Sequence, residues 1–428
     1  MMWDMKIFRS YILYILYAVT VVRIGAMESA DSSVILPLKL QEVPAESLGN
    51  ITFRSNVSMT ISLTVGTPPQ SVQMVLDTGS ELSWLGCNKS GGDSTSFEPT
   101  QSYTYNPVSC DSSVCRNQTQ DLTVPASCDF NNLCHATLTY ADLSSSEGNL
   151  AFDVFRFASN DSYQLVFGCM DSVYSTNSDD SQNTGLLGMN RGALSLVTQM
   201  SFPEFSYCIS SSTLSGVLVL GSSLMPPMNY TPLVEISMPL PYFDRSAYSV
   251  QLMGIKVSDV LLPIPSFVFL PDHTGAGQTM IDSGTQFTFL LGQAYDSLRS
   301  EFLKQTSGVL KALDDPNYVF QGAMDLCYLV PFGEPDFRQI PPVSLVFDGA
   351  EMTVAGDLTL YPAPGEVRDN CSVYCFSFGN SDLLGVEAFV IGHHHQQDMW
   401  VNFDLERSRL GLAQAQCDSQ TYKLGIAV

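Results

Sequence analysis

Basic residues are scarce in this sequence. Lys and Arg number 19 against 43 Asp and Glu, which gives a net charge of -24 at pH 7. Nucleic-acid binding needs a basic patch that neutralises phosphates, so this deficit argues against a nucleic-acid partner. Charged residues make up only 14% of the chain and hydrophobic residues 45%. That balance is typical of a globular protein and excludes a disordered one.

The sequence also lacks a hydrophobic run long enough for a membrane helix. The apolar stretch 11–22 ends at Arg23, whereas a membrane span needs about 20 residues. Lys6 precedes the stretch and Ala26 follows it, which predicts a secretory signal peptide over residues 1–26. A signal anchor is the alternative. The chain has no apolar C-terminal tail, so we expect no GPI anchor and no stable membrane attachment.

Sequons and cysteines support entry into the secretory pathway. Asn-x-Ser/Thr sequons occur at Asn50, Asn56, Asn88, Asn117, Asn160, Asn229 and Asn370. The 11 cysteines fit an oxidising compartment, and their odd number leaves one unpaired. We therefore expect the protein to enter the endoplasmic reticulum and the secretory pathway. No pair of Cys-x2-Cys knuckles occurs, so no metal site is expected.

One short motif occurs twice. Residues 75–85 and 280–290 both read apolar, apolar, Asp, hydroxyl, Gly, hydroxyl, and each has an aromatic residue near its end. An apolar-apolar-Gly motif follows each copy at nearly the same distance, at 186–188 and 390–392. Two matched pairs indicate a tandem duplication of a whole lobe rather than a short repeat. Two such lobes would bring the two aspartates together at the cleft between them.

Strand-like patterns dominate the rest of the chain. Residues 57–65 and 248–257 alternate apolar and polar side chains, which is typical of half-buried strands. Residues 136–150 read strand, polar turn, strand and predict a hairpin. Residues 294–303 have helical spacing. We therefore expect a mainly β, bilobal fold in which each lobe is a folded sheet or distorted barrel.

Shifts in composition divide the chain into segments. The expected organisation is a signal peptide (1–26), a short prosegment (27–56), an N-terminal lobe (57–228) with a Cys-rich insert (87–134) and a hairpin (136–150), an inter-lobe linker (229–241), a C-terminal lobe (242–417) and a short tail (418–428).

The acidic residues of the two copies, Asp77 and Asp282, are candidate catalytic groups. Two carboxyl groups in a partly desolvated site cannot both ionise cheaply, so one pKa rises and the pair shares a proton. The ionised member can take a proton from water while the other donates one to a carbonyl oxygen, which is hydrolysis without a metal or cofactor. Two kinds of neighbouring residue support this catalytic role: hydroxyls that can cross-link the two loops or donate to the carboxylates, and glycines that allow close approach. They are Thr78, Gly79, Ser80, Ser283, Gly284 and Thr285.

These motifs resemble those of the pepsin-like aspartic endopeptidases, and among them the plant nepenthesin-like and atypical group. The resemblance covers residues 57–417 and includes both Asp motifs, Trp84, the hairpin with Tyr140, both apolar-apolar-Gly motifs and the Cys-rich insert. It implies a bilobal acid protease with polypeptide substrates, inhibition by pepstatin-type compounds and no cofactor. A monomer is expected, because the duplication already builds the two-lobed site.

The resemblance also implies a substrate-binding site. Tyr140 would lie on a flap that closes over the substrate, with Trp84 as its hydrogen-bond partner. Val75, Phe167 and Leu186 would line an apolar pocket with Tyr140, so we expect cleavage beside Leu, Phe or Met.

The expected disulfide pairs rest on two arguments, the resemblance and proximity along the chain. The resemblance implies Cys208 with Cys417 and Cys327 with Cys375. Proximity along the chain favours Cys110 with Cys115 and Cys128 with Cys134, which leaves Cys87 for Cys169 and Cys371 unpaired.

Two further segments carry expectations. The prosegment contains only Lys39 and Arg54 as basic residues, whereas family zymogens typically block the dyad with a basic propeptide. We therefore expect the enzyme to be partly active before maturation. The histidines at 393–395 are expected on a strand, where alternate residues face opposite sides, so a structural role is favoured over a metal site.

A catalytically silent pepsin-like fold is the alternative function. Plant xylanase-inhibitor-like and storage proteins bind partners with the old cleft and typically lose a catalytic motif. Here both Asp motifs, Tyr140 and Trp84 are intact, which favours the enzyme.

Overall fold

The computed structural model describes residues 33–42, 57–87, 96–141, 144–157, 162–174, 185–223, 225–333 and 337–426. The predicted signal peptide, most of the predicted prosegment and the sequons at Asn50, Asn56, Asn88 and Asn160 lie outside these residues. The other predicted sequons, Asn117, Asn229 and Asn370, are exposed.

Strands make up most of the regular structure. Those of the N-terminal half are β1 (Val34–Glu42), β2 (Val57–Val65), β3 (Gln70–Asp77), β4 (Trp84–Gly86), β5 (Asn106–Pro107), β6 (Ser127–Cys128), β7 (Cys134–Thr139), β8 (Ser145–Arg156), β9 (Ser162–Tyr174), β10 (Gly185–Gly188), β11 (Glu204–Ile209), β12 (Ser215–Leu220) and β13 (Asn229–Pro232). Those of the C-terminal half are β14 (Leu252–Val257), β15 (Val260–Leu261), β16 (Gln278–Asp282), β17 (Thr288–Leu290), β18 (Lys311–Ala312), β19 (Cys327–Pro331), β20 (Val343–Phe347), β21 (Glu351–Val354), β22 (Leu360–Arg368), β23 (Cys371–Phe376), β24 (Phe378–Asn380), β25 (Ala388–Gly392), β26 (Met399–Asp404) and β27 (Arg409–Gln414).

Helices are short within the described residues. They are α1 (Leu196–Met200), α2 (Gly292–Thr306), α3 (Cys417–Lys423), a π-helical turn (Val114–Gln118) and 3-10 turns at Pro99–Gln101, Ser266–Phe269, Phe337–Gln339, Gly356–Thr359, Ser381–Leu384 and His393–Gln396. The predicted helix is confirmed as α2, which buries Tyr295, Leu298 and Phe302 at helical spacing.

The mainly β fold is confirmed. We expected a separate sheet in each lobe, but strands from both halves of the chain belong to one sheet. One 15-stranded sheet runs in the order β13-β27-β26-β11-β12-β1-β2-β3-β10-β4-β9-β8-β7-β6, with β5 paired to β8, and three four-stranded sheets complete the C-terminal half. The strands β26 and β27 come late in the chain, yet β26 pairs with β11. The two halves are therefore joined by main-chain hydrogen bonds as well as by packing.

The strand β1 lies inside the large sheet, although its residues belong to the predicted prosegment. It pairs with β12 on one side and β2 on the other. The alternating residues Val34, Leu36, Leu38 and Leu40 are buried, while Lys39 points to solvent. This period-two pattern buries one whole face of the strand in the core. Removing β1 would open the sheet between β12 and β2.

The structure forms five disulfides, and the local pairing predicted in the insert is wrong. Cys87–Cys169, Cys208–Cys417 and Cys327–Cys375 are bonded as expected, and Cys371 is free. In the insert the bonds are Cys110–Cys128 and Cys115–Cys134. The reason is that residues 110–118 lie across the β6–β7 hairpin, so each hairpin cysteine meets a cysteine of that segment. These bonds close longer loops than the local pairs would, which stabilises the fold more.

The triple histidine lies in a 3-10 turn after β25, so the predicted strand is wrong there. All three side chains are buried. The Nε2 of His393 donates to the carbonyl of Val57 at 3.1 Å, and the N–H of Val57 donates to Gln286 Oε1 at 3.2 Å. His395 hydrogen-bonds with Ser377 and Thr288. The turn therefore attaches the C-terminal half to the first residue of β2.

The position of β1 generates a stability prediction. We expect Leu38→Ala to lower the free energy of unfolding by about 2–5 kcal/mol, because it removes buried methyl groups and leaves a cavity. Lys39→Ala, on the exposed face of the same strand, should stay within about 0.5 kcal/mol. Urea unfolding followed by tryptophan fluorescence measures both. Equal losses in the two variants would contradict the placement of β1 in the core.

The buried histidines generate a pH prediction. Burial lowers the pKa of His393 from 6.5 to about 4, although the hydrogen bond to Val57 opposes the change. Between those pH values the unfolded chain binds a proton that the folded chain does not, so stability is lost as the pH falls from about 6.5 to about 4. His393→Gln keeps a side-chain N–H for Val57 and should make this slope shallower by up to about 1.4 kcal/mol per pH unit.

The control for this experiment is His273→Gln, because His273 is highly exposed. Thermal or urea unfolding across the pH range measures the slope. A slope that is the same in His393→Gln as in the unsubstituted protein would show that His393 titrates equally in both states.

Candidate active site

The same strand arrangement carries each aspartate. In the N-terminal half β3 runs parallel to β10, with Asp77 opposite Gly188. In the C-terminal half β16 runs parallel to β25, with Asp282 opposite Gly392. Both aspartates therefore end a strand, beside the glycine of an apolar-apolar-Gly motif. The two motifs that recur in the sequence are neighbours in each half.

Crossed hydrogen bonds join the two aspartate loops. The backbone N–H of Thr78 donates to Ser283 Oγ at 3.0 Å, and the N–H of Ser283 donates to Thr78 Oγ1 at 2.9 Å. Each hydroxyl also donates to a carbonyl of the opposite half, that of Ile281 at 3.2 Å or that of Leu76 at 2.8 Å. Both hydroxyl residues are buried. This arrangement holds the two loops in one register across the interface.

Each carboxylate receives two matched hydrogen bonds. The N–H of Gly79 donates to Asp77 Oδ1 at 2.8 Å, and the N–H of Gly284 donates to Asp282 Oδ1 at 2.9 Å. The hydroxyl of Ser80 donates to Asp77 Oδ2, and that of Thr285 donates to Asp282 Oδ2 at 2.6 Å. The predicted supporting residues thus lie around the two carboxyl groups.

The glycines allow the two carboxyl groups to approach. A Cβ atom on Gly284 would lie 2.3 Å from Asp77 Oδ1, and one on Gly79 would lie 2.9 Å from Asp282 Oδ1. Any other residue would push the carboxyl groups apart.

The electrostatics of the pair favour a shared proton. Burial, and after it the charge of Asp282, raises the pKa of Asp77 well above its ordinary value, while hydrogen bonds from Ser80 and Gly79 oppose the change. A Cβ atom on Gly79 would lie 2.9 Å from Asp282 Oδ1 and 3.2 Å from Asp77 Oδ1, so the two carboxyl groups are close neighbours. Asp77 is buried and Asp282 is half-buried. The pair can therefore hold one proton over a range of pH in which a single exposed Asp would be ionised.

The predicted flap is a hairpin of β7 and β8. Thr139 pairs with Ser145, and the N–H of Tyr140 donates to the Ser144 carbonyl at 3.0 Å near the tip. The indole Nε1 of Trp84 donates to the Tyr140 hydroxyl at 2.6 Å. This is the hydrogen bond that the family resemblance implied.

Phe167 does not lie with the other residues predicted to line an apolar pocket. Val75 pairs with Leu186, Leu186 pairs with Trp84, and all three are half-buried. Phe167 lies on the opposite face of β9, where its ring meets that of Phe97 in the core at 5.9 Å between centroids. Trp84 pairs with Gly168 instead.

The alternation of side chains along β9 explains why Phe167 lies in the core. Because alternate residues share a face, the face of β9 that carries Gly168 also carries Val166 and Met170. Both of these side chains belong to the apolar cluster that Trp84 and Tyr140 cover. A shift of one residue in the alignment therefore exchanges a core side chain for a pocket side chain.

A cavity of about 530 Å³ lies beside β16, the strand that ends at Asp282, and neither aspartate is among the residues that line it. Gln278 and Met280 line it and lie on the same face of β16 as Asp282. Tyr242 and the insert residue Asp121 form other parts of its wall. No sequence pattern predicted this cavity, because its walls come from segments far apart in the chain.

Buried polar residues beneath the aspartates were also missed. Tyr248 donates its hydroxyl to the Met189 carbonyl, and Tyr207 donates to Gln396. The rings of both tyrosines pack against Phe403. The one available signal was that Gln396 closely follows the second apolar-apolar-Gly motif.

The described residues offer neither a cluster of metal ligands nor a membrane-spanning helix. Among the described ranges, no group of three or more His, Cys, Asp or Glu side chains is arranged to hold a metal ion. In that same part of the chain, no helix has the length and apolar character to cross a membrane.

Two protein-family models match the chain. The model described as xylanase inhibitor N-terminal matches residues 59–222, and that described as xylanase inhibitor C-terminal matches residues 247–414. Their boundary falls between the two halves of the duplication. Among solved structures, the crystal structure of EDGP is similar to this chain with a TM-score of 0.67. The alignment covers 92% of this chain and 98% of the EDGP chain. Its sequence identity of 20% supports the fold alone.

Curated relatives are aspartic proteinases. Aspartic proteinase PCS1 of Arabidopsis thaliana is 56% identical over 406 residues, which cover 92% of this chain and 89% of the relative. Aspartic proteinase nepenthesin-1 of Nepenthes gracilis is 33% identical, over 83% of this chain and 77% of the relative. With the fold and the paired aspartates, this similarity shows that the chain belongs to the pepsin-like aspartic proteases of plants and is an aspartic endopeptidase.

Proposed function

We propose that Asp77 and Asp282 are the catalytic dyad and that they hydrolyse peptide bonds with a water molecule held between them. The observation that carries this proposal is the matched set of hydrogen bonds around the two carboxyl groups. The Thr78–Ser283 cross-link brings the groups together, and two glycines leave room for their approach. Burial and mutual repulsion favour one proton on the pair.

The reaction follows from that single shared proton. The ionised carboxylate accepts a proton from the water, whose oxygen attacks the peptide carbonyl carbon. The protonated carboxyl donates its proton to the carbonyl oxygen, which gives a neutral tetrahedral diol. The C–N bond of the diol then breaks. The leaving amine takes the proton held by the carboxyl pair, and one hydroxyl of the diol gives its own proton back to the pair. Every proton passes through the two carboxyl groups, which end the cycle with the single proton they began with, so an acid optimum is expected for a pair that must keep one proton.

The substrate is a polypeptide with apolar residues beside the scissile bond. Val75, Leu186 and Trp84 offer a half-buried apolar surface on the Asp77 side, under the flap residue Tyr140. The cavity beside Met280 has mostly polar and charged residues in its walls. The apolar preference therefore rests on the surface formed by Val75, Leu186 and Trp84, which suits apolar side chains of an extended peptide.

A catalytically silent binding protein is the alternative, and the description of the matching family models as xylanase inhibitors gives it a definite form. The intact site argues against it. A protein that only binds a partner would have no use for two carboxyl groups that share matched donors, nor for glycines that let them meet.

The proposed cellular setting is the secretory pathway, ending outside the cell, in the apoplast or in the vacuole. Five disulfides support an oxidising compartment. We also propose a monomer that is active with β1 in place, since β1 is paired on both edges and its apolar face is buried. Maturation would then leave this strand attached to the sheet.

Asp77→Asn and Asp282→Asn test the dyad. The unprocessed chain should cleave an unfolded protein substrate between about pH 3 and pH 7, with pepstatin inhibiting it. Each substitution removes an ionisable group but keeps the shape, so we expect the rate to fall at least about a hundredfold. Digestion followed by mass spectrometry measures the rate and gives the residues beside each cleaved bond.

Asp153→Asn is a matched control, because Asp153 is equally buried but lies on β8, away from the dyad. It should keep the activity of the folded protein. A folded unsubstituted chain that cleaves nothing at any pH would move the conclusion to the binding function, and full activity in Asp77→Asn would remove that residue from the dyad.

The Trp84–Tyr140 hydrogen bond generates a second functional prediction. Trp84→Phe removes the indole N–H and leaves the Tyr140 hydroxyl without this donor. We expect kcat/KM to fall about two- to tenfold, which corresponds to the loss of one ordinary hydrogen bond. Tyr140→Phe removes the other partner. The double variant should lose no more kcat/KM than the more affected single variant. Losses of kcat/KM that add in the double variant would mean that the two residues act separately.

A further inference from the structure

Gln396 is a fully buried amide beneath the Asp282 loop. Its Nε2 donates to the carbonyl of Ile391 at 2.7 Å and to that of Asp282 at 3.4 Å. Those two carbonyls belong to the adjacent parallel strands β25 and β16. One side-chain amide therefore joins the ends of both strands at the residue that carries the carboxylate.

Tyr207 orients that amide. Its hydroxyl donates to Gln396 Oε1, and its ring is fully buried on β11, 5.8 Å from Phe403 between centroids. Burial, and after it the charge of Asp282, raises the pKa of Tyr207 well above its ordinary value, so the hydroxyl keeps its proton. The bond from Gln396 to the Asp282 carbonyl is long for a hydrogen bond. It therefore depends on a fixed orientation of the amide plane.

The Asp77 carbonyl is held by the main chain instead. The backbone N–H of Met189 donates to it at 2.8 Å. Tyr248 is also fully buried, and its hydroxyl donates to the Met189 carbonyl at 2.7 Å. Tyr248 therefore supports a bond that the backbone already makes.

The duplicated halves differ at this point because the chain takes another path after Gly392. His393 follows Gly392 as Met189 follows Gly188, yet its N–H donates to the Thr285 carbonyl at 2.9 Å. The chain enters the 3-10 turn there. The side chain of Gln396 takes over the contact with the Asp282 carbonyl.

We propose that Gln396, oriented by Tyr207, is a positioning residue that holds Asp282 in place for the reaction. This inference rests on the proposed function of the dyad. A backbone bond holds Asp77 whatever the nearby side chains are, whereas Asp282 depends on a buried side-chain pair that spans the two halves. Its carboxylate is therefore sensitive to the loss of a single hydroxyl from β11.

Tyr207→Phe tests this dependence, because it removes the hydroxyl and keeps the ring in the aromatic core. We expect kcat to fall about ten- to hundredfold, since a small displacement of a catalytic group costs about that much. KM should change little, as no substrate contact is altered. The pH profile of kcat/KM should shift by at least about half a unit, because the separation of the carboxyl groups sets their coupling.

Tyr248→Phe is the matched control. It removes the same group from an equally buried ring that packs on the same Phe403, but the Met189–Asp77 bond remains. Its kcat and pH profile should stay within about twofold and about 0.2 units of the unsubstituted enzyme. Gln396→Met removes the amide at similar volume and should reproduce the effect of Tyr207→Phe. If Gln396→Met does not fold, the comparison of Tyr207→Phe with Tyr248→Phe tests the proposal by itself.

Two results would overturn the inference. One is a folded Tyr207→Phe enzyme with kcat within twofold and an unchanged pH profile. The other is an equal loss in Tyr248→Phe, which would point to packing rather than positioning.

A separate readout distinguishes this failure from failure of the proposed function. Carboxyl ¹³C shifts of labelled aspartates, assigned with Asp77→Asn and Asp282→Asn, report the titration of the pair without any substrate. The midpoint should move in Tyr207→Phe and stay in Tyr248→Phe. If the unsubstituted protein shows no hydrolysis, the proposed function fails, and this titration still supports or contradicts the positioning role.

Discussion

The crossed hydrogen bonds between Thr78 and Ser283 are the constraint on which the site depends. Two carboxyl groups brought this close repel each other when both are ionised, and a shared proton relieves the repulsion only while the backbone keeps them together. Because both hydroxyl residues are buried at the interface, water does not compete for these bonds. The parallel strand pairs β3–β10 and β16–β25 supply a rigid support on each side, so the position of each carboxylate is set by sheet geometry rather than by a mobile loop.

The duplication gives the two halves the same local frame but different surroundings. Asp77 is buried, while Asp282 is half-buried and ends the strand whose residues Gln278 and Met280 line a cavity. The carbonyl of Asp77 is held by a backbone N–H, and that of Asp282 by the amide of Gln396. Two chemically identical side chains can therefore differ in proton affinity and in sensitivity to substitution. Such a difference suits the proposed mechanism, in which the pair must have one acid and one base at the same time.

The interface between the halves is continuous main chain as well as packed side chains. The pairing of β26 with β11 and the clamp on Val57 by His393 and Gln286 both cross it. The strand β1 lies in the same sheet between β12 and β2. The proposed dyad, assembled from two halves, needs an interface that does not slide, since the useful geometry is lost with small displacements. Buried neutral histidines contribute to that interface and also make it less stable in acid.

The sequence by itself determined the duplicated aspartate motifs, their hydroxyl and glycine neighbours, the flap hairpin and the mainly β architecture. Each of these is a local pattern whose residue types directly set backbone geometry or side-chain chemistry. The tertiary structure decided the cysteine partners in the insert, the core side of Phe167, the 3-10 turn of the histidines, and the link from Tyr207 to Gln396. These depend on which distant segments meet and in which register. Since a shift of one residue in a strand exchanges its two faces, periodicity alone cannot select the partner.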